Sequence, residues 1–194
     1  MCRKSDEQSC SIAADYLRRG KIVILPTDTV YGFSGIVDGR HYSYHTDAAI
    51  RAVKGRAETK PLIQLIAKPE NLANYTKDIV PANLLEKWPG ALTIIVHTLS
   101  KENEQTTTAF RCPGDEWIRR VISLCGAPVY STSVNRSGQP VLDTIVEIKK
   151  EFEKEADLII DDGDKKGALP STIVSIGDDG KIAVIRQGSV IIDC

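Results

Sequence analysis

The chain has 194 residues, 42% of them apolar and 26% charged. That is ordinary globular composition, and the length is enough to bury a core without staples. Lysine and arginine total 25 and aspartate and glutamate 26, a formal net charge of −1, which excludes a general basic coat for nucleic acid and an acidic solvating tail.

No apolar run approaches the ~18 residues that a membrane span needs. The N-terminus, Met1-Cys2-Arg3-Lys4-Ser5-Asp6, leads into a charged amphipathic stretch without the apolar core of a secretory signal. The 5 cysteines (Cys2, Cys10, Cys112, Cys125 and Cys194) include no C-x-x-C pair. Neither a zinc ribbon nor a disulfide framework is expected, and a reducing cytoplasm is. With no repeat, low-complexity run or long linker, residues 1–194 read as one domain.

The first element predicted is a helix with Ile12, Ala13, Tyr16 and Leu17 on one face, closed by Gly20. Lys21 to Leu25 reads as a buried strand ended by Pro26. Thr46 to Lys54 reads as a helix with Ala49, Ile50 and Val53 on one face. Leu62 to Ala67 reads as a strand, and Pro69 and Pro81 each open a short helical piece at its first position. Leu92 to Leu99 and Thr106 to Arg111 are β-rich. Asp115 to Leu124 is amphipathic, Pro128 to Ser133 is a strand, and Asp143 caps a helix running to about Lys154. Leu158 to Ile160, Ser171 to Ile176 and Ile182 to Ile185 finish as strands. Gly177-Asp178-Asp179-Gly180 forms a hairpin turn between the last two. The fold class predicted is α/β, one twisted mixed sheet flanked by helices.

Four polar segments follow strands or helices, where α/β proteins bind ligands. Pro26-Thr27-Asp28-Thr29-Val30-Tyr31-Gly32 is either a self-satisfied turn or a binding loop. Lys54-Gly55-Arg56 with Lys60 is either a solvated helix end or an oxyanion clamp, in which Gly55 lets the backbone turn two cations toward one point. Strand alternation puts Ser131, Ser133 and Asn135 on one face, where hydroxyls and an amide can ring a phosphate. Ser171 opens the last hairpin, and Arg186 follows Val184 at the spacing of one strand face.

Other chemistries lack their signatures. There is no G-x-x-x-x-G-K-[ST], no G-x-G-x-x-G and no G-x-S-x-G. His41 and His45 have the spacing of a zinc pair without the adjacent glutamate or a helical context. His97 reads as a strand histidine, and Trp88, Trp117 and Phe110 as core.

In order and spacing, seven segments together resemble the YrdC family, the L-threonylcarbamoyladenylate synthases. They are PTDTVYG from Pro26, KGR at Lys54 with KPL at Lys60, WPGALT from Trp88, Arg111-Cys112-Pro113, STSVNRSG from Ser131, PSTIV from Pro170 and IRQG from Ile185. They run over roughly residues 20–190.

The resemblance implies a single α/β domain with a deep, positively charged concave cavity, in the short form without an added C-terminal domain. It implies condensation of L-threonine, bicarbonate or CO₂, and ATP to threonylcarbamoyl-AMP with release of pyrophosphate. Transfer proteins then carry the group to the adenosine beside the anticodon of tRNA. Carried over by motif, Thr29, Arg111, Ser133 and Ser171 surround threonine. Arg56, Lys60, Thr107, Asn135 and Arg186 face ATP, and Lys54 of the Lys-x-Arg signature sits between the two, with Arg56 and Lys54 catalytic. Mg²⁺ is expected to ride on ATP, with no metal ligated by the protein and no tightly bound cofactor. Ala57 stands where the family commonly has proline. Asp38 to His45, aromatic and histidine-rich, is expected to alter the cavity rim.

Two other functions compete. A non-catalytic RNA-binding module would use the same cavity, but the near-neutral charge offers it no general basic surface. An O-carbamoyl transferase of the hydrogenase-maturation kind would need zinc motifs that are absent here.

Overall fold

Short, apolar, β-branched runs cannot bury themselves alone, and here they assemble into one mixed sheet. The computed structural model describes residues 1–39, 41–55, 57, 61–99, 105–177 and 180–192. Among them are strands β1 (Cys2–Arg3), β2 (Val23–Leu25), β3 (Gly32–Ile36), β4 (Ile63–Leu65), β5 (Leu92–Leu99), β6 (Gln105–Arg111), β7 (Val129–Ser133), β8 (Leu158–Asp161), β9 (Thr172–Ile176) and β10 (Ile182–Arg186). The helices are α1 (Ser9–Arg18), α2 (Thr46–Lys54), α3 (Ala82–Leu85), α4 (Glu116–Cys125) and α5 (Ile145–Phe152), with a 3₁₀ turn at Pro69–Asn74. The sheet order is β1-β8-β2-β3-β7-β4-β6-β5-β9-β10. No helix among the described residues is long and apolar enough to cross a membrane.

Residues that face each other across a ladder share a side of the sheet, so the register sorts the whole fold. On one side stand Ser34, Ser131, Ser133, Ile63, Thr107, Ala109, Arg111, Thr93, Ile95 and His97. Part of this side is covered by α1 and α4, which pack Ala13, Leu17, Ile118 and Val121 against Val23, Ile36, Leu65 and Val129. The opposite side carries two apolar clusters. One gathers Phe33, Ile50, Ile148 and Phe152, the other Phe110, Ile94, Val96 and Val174.

Several boundaries depart from expectation. β3 is a fully buried central strand that the sequence conceals behind Gly-Phe-Ser-Gly-Ile. Its glycines are steric: a Cβ on Gly35 would lie 2.6 Å from Thr46, whose hydroxyl donates to the Ile36 carbonyl. The α2 stripe is rotated from the predicted one, since Ala49 is exposed while Thr46, Ile50 and Lys54 are buried. Pro81 is the cap of α3 and not its first residue. Thr144, not Asp143, caps α5 and accepts from the Glu147 amide, while the Asp143 carboxylate accepts from the Gly167 amide at 3.3 Å. Asp115 caps α4 through the Trp117 amide. The β9–β10 hairpin forms, although Asp178 and Asp179 of its turn lie outside the described residues.

In the segment expected at the cavity rim, Tyr42 donates to the Cys125 carbonyl at the end of α4, and His45 sits at the start of α2 with its amide on Asp38. These contacts place the segment past the Ile36 end of β3, away from Ser133, which pairs with Gly32 at the other end.

Gly35→Ala should cost about 1–3 kcal/mol, because the added methyl has no space beside Thr46. Urea unfolding would read it as a lowered midpoint, and an unchanged midpoint would contradict this packing. A second prediction concerns acid. Lys4 bridges Asp115 at 2.5 Å and Asp162 at 3.0 Å, and Lys165 adds a contact to Asp162 at 3.1 Å. Burial works to raise the Asp162 carboxyl, but Lys4 and Lys165 outweigh it and hold it below its ordinary value. Its stabilising share is therefore complete above about pH 4 and disappears as pH falls through the lowered native value. Asp162→Asn should flatten that part of the acid-unfolding curve, and an identical acid limb would refute the linkage.

Candidate active site

The PTDTVYG segment leaves β2 at Leu25 and returns as β3. Between the two it folds around Arg111, a guanidinium only 4% exposed near the end of β6. Arg111 Nε donates to the Gly90 carbonyl at 3.0 Å, Nη1 to Thr29 Oγ1 at 2.9 Å and Nη2 to Asp28 Oδ1 at 2.5 Å. The second Asp28 oxygen accepts the Gly114 amide at 2.9 Å. The Thr27 and Thr29 hydroxyls lie 2.9 Å apart, and Thr27 donates on to the Val30 carbonyl. Tyr31 closes the segment from below, donating to the Gly163 carbonyl at 2.7 Å. So the turn satisfies itself and also presents Thr29 at a buried cation.

Beside Arg111 across the β5–β6 ladder is Thr93, whose hydroxyl lies 2.8 Å from that of Ser171. Arg186 clasps Ser171 from β10, with Nε and Nη2 on its carbonyl at 3.1 and 2.8 Å and Nη2 also 3.2 Å from Oγ. An unbroken ladder would set Arg186 against Thr172, on the side of Val174 and Val184. A register shift between Val184 and Arg186 pairs it with Ile173 instead and turns it to the Arg111 side. The expectation that Arg186 and Val184 share a face is therefore wrong, and the bulge is the reason. Partial burial and the nearby Arg111 charge together pull the Arg186 guanidinium below its usual value. Burial likewise lowers Arg111 against the opposing pull of Asp28. The two guanidiniums lie in each other's field, and with only Arg111 bonded to a carboxylate, Asp28, among the described residues, they leave a positive excess. Among the described residues, Arg111 spends three of its five N–H groups.

Lys54, Ser133 and Asn135 form a second cluster at the Ser133 end of the same strands. Gly55, in the left-handed region at φ 62°, ends α2 as predicted. Lys54 is 2% exposed. Its ammonium donates to the Ser133 carbonyl, to the Asn135 carbonyl at 2.9 Å and to Asn135 Oδ1 at 2.8 Å. It also lies 5.6 Å over the Phe33 ring. Ser133 Oγ donates to Asn135 Oδ1 at 2.8 Å, and Asn135 Nδ2 donates to the Arg136 and Gln139 carbonyls. A reversed amide would point N–H groups at an ammonium, so this orientation is fixed by charge. Here Lys54 and Asn135 build the turn that carries Ser133.

Of the sequence-derived residues, Thr29, Arg111, Ser171 and Arg186 are brought together, as are Lys54, Ser133 and Asn135. Thr107 is exposed on β6 and shares the Arg111 side, while its neighbours Thr106 and Thr108 point the other way. Arg56 and Lys60 lie outside the described residues. Sequence reasoning left the role of Asp28 open and missed Thr93. Its place as the last residue of the WPGALT segment was the available signal. No group of three His, Cys, Asp or Glu side chains among the described residues could hold a metal.

The Sua5/YciO/YrdC family model, described as telomere recombination, matches residues 15–188. A Pyrococcus abyssi protein named threonylcarbamoyl-AMP synthase is 31% identical over 179 residues, covering 88% of this chain and 52% of that one. A mouse protein of the same name is 29% identical, covering 89% of this chain and 64% of that one. Among solved structures, P. abyssi Sua5 complexed with L-threonine superposes with a TM-score of 0.82 at 29% identity, covering 94% of this chain and 55% of that one. The chain thus spans between half and two thirds of the length of these relatives. On the family match, over nearly its whole length, the chain belongs to the Sua5/YciO/YrdC family.

Proposed function

We propose that the chain condenses L-threonine, bicarbonate or CO₂, and ATP into threonylcarbamoyl-AMP, releasing pyrophosphate. The observation that carries this reading is the paired guanidiniums of Arg111 and Arg186, ringed by the hydroxyls of Thr29, Thr93 and Ser171, with Asp28 bonded to Arg111. Such a site wants an anion that also carries hydroxyl and amine groups, and a threonine carboxylate beside a phosphate answers that need. The names of the relatives above and the threonine complex of one of them support the same substrate.

In this reading Thr29, Arg111, Ser133 and Ser171 surround threonine. Arg186, Thr107 and Asn135 lie toward ATP, joined by Arg56 and Lys60, and Lys54 stands where the two meet. The Arg186–Ser171 contact is then the seam between the two substrates. The threonine amine attacks CO₂, a carbon–nitrogen bond forms and the amine proton leaves to solvent. A carbamate oxygen next attacks the α-phosphorus, and the bond from that phosphorus to the β-phosphate oxygen breaks, so pyrophosphate departs. No side chain becomes covalently linked. The protein supplies position and charge, which neutralise two anions brought face to face. Mg²⁺ enters with ATP as part of the substrate. The product would pass to threonylcarbamoyl-transfer proteins for tRNA, in the cytoplasm.

Pyrophosphate release should require ATP, L-threonine and bicarbonate together. Arg186→Ala and Arg111→Lys should each lower kcat/KM by roughly 10²–10³-fold, in line with the loss of a charged donor at a developing anion. No release with all three substrates present would overturn the proposal. Tight RNA binding that falls steeply with salt, without turnover, would favour the RNA-binding alternative.

A further inference from the structure

Next to Asn135 stands a residue that the proposed chemistry does not use. Arg136 sends Nη1 to the Val53 carbonyl at 2.5 Å, in the last turn of α2, where a cation also meets the negative end of the helix. Its Nε donates to Glu151 at 2.9 Å, and Nη2 and Nη1 donate to Glu155 at 2.5 and 3.0 Å. Its guanidinium carbon lies 4.6 Å from the centre of the Phe152 ring. One side chain thus ties the end of α2 to the end of α5. Backbone contacts run in parallel: the Ser137 amide donates to the Lys54 carbonyl at 2.7 Å, and the Arg136 carbonyl accepts from Asn135 Nδ2 at 3.0 Å. For a residue whose side chain is 37% exposed, this is an unusually complete set of partners.

The position of Arg136 in the chain gives those contacts a purpose. Val53 immediately precedes Lys54, and the basic segment with Arg56 and Lys60 leaves from Gly55. Asn135 immediately precedes Arg136. The two halves of the Lys54–Asn135 contact are held from behind by a single fork, which is anchored in turn by two carboxylates. Mobile lysine tips elsewhere on the surface could not do this, because the job needs several donors in one fixed plane.

We infer that Arg136 is a positioning residue of the ATP half of the site, fixing the end of α2, and with it Lys54, against the Ser133–Asn135 turn. The inference rests on the proposed synthase activity. Arg136 touches none of Thr29, Arg111, Ser133 and Ser171, and Ser133 is also held by its ladder to Gly32, so the threonine half should be affected much less than the ATP half.

The test is steady-state pyrophosphate release with each substrate varied in turn. Arg136→Gln should raise the KM for ATP about tenfold, since small misplacements of aligned groups carry costs of this order, and should leave the KM for threonine within about twofold. Glu155→Gln, which weakens the anchor but keeps the Val53 contact, should shift the ATP KM in the same direction by a smaller factor. Lys149→Ala, exposed on the same helix, should change neither constant. Thermal melts establish that each variant is folded. If Arg136→Gln folds poorly, Glu155→Gln decides the matter alone. Equal rises in both KM values, or none in either variant, would overturn the inference. An inactive parent chain would overturn the synthase reading instead.

Discussion

Burying a guanidinium costs several kcal/mol unless its N–H groups are met, and Arg111 is met by Gly90, Thr29 and Asp28. Those partners come from two distant parts of the chain, so the arginine can stay inside only if the PTDTVYG segment and the segment around Gly90 both close on β6. Asp28 in turn needs the Gly114 amide. The buried charge therefore dictates how these segments meet. Fold and site are joined at this residue.

The second guanidinium arrives by a different device. Arg186 sits on an outer strand whose simple alternation would send it to the side of Val174. The bulge after Val184 corrects its direction, and Ser171 holds it there through three contacts. Arg111 and Arg186 repel each other, and an anion bound between them would relieve that repulsion, which is the physical basis of the proposed ligand site. The Lys54 cluster is built on the opposite logic. Its ammonium is saturated by carbonyl oxygens, and the neutral Asn135 has both amide hydrogens spent. Charge at this end shapes the turn that carries Ser133.

Much of this was legible in the sequence. Apolar runs such as Leu92 to Leu99 and the amphipathic stretch after Asp115 announced their elements, and the motifs named Thr29, Arg111, Ser171 and Arg186, which the fold brings together. What stayed hidden had physical causes. β3 was concealed because close approach of Thr46 and Ser131 demands glycines, which read as loop. The bulge at Arg186 is a register property of two strands and has no local signature. The partner of Asp28 lies 83 positions away. Arg136 looked like one more polar residue in a Ser/Asn-rich loop, because its partners Val53 and Glu155 are brought to it only by the packing of α2 and α5 around Phe33 and Phe152.

The most direct test of the central claim is a crystal structure of the chain with L-threonine and MgATP. The account predicts the threonine carboxylate within hydrogen-bonding distance of the Arg111 or Arg186 guanidinium, with the triphosphate running toward Thr107 and the Ser133–Asn135 turn. Ligands seated elsewhere, for instance in the cleft lined by Asn74, Tyr75 and His97, with the two arginines untouched, would contradict it.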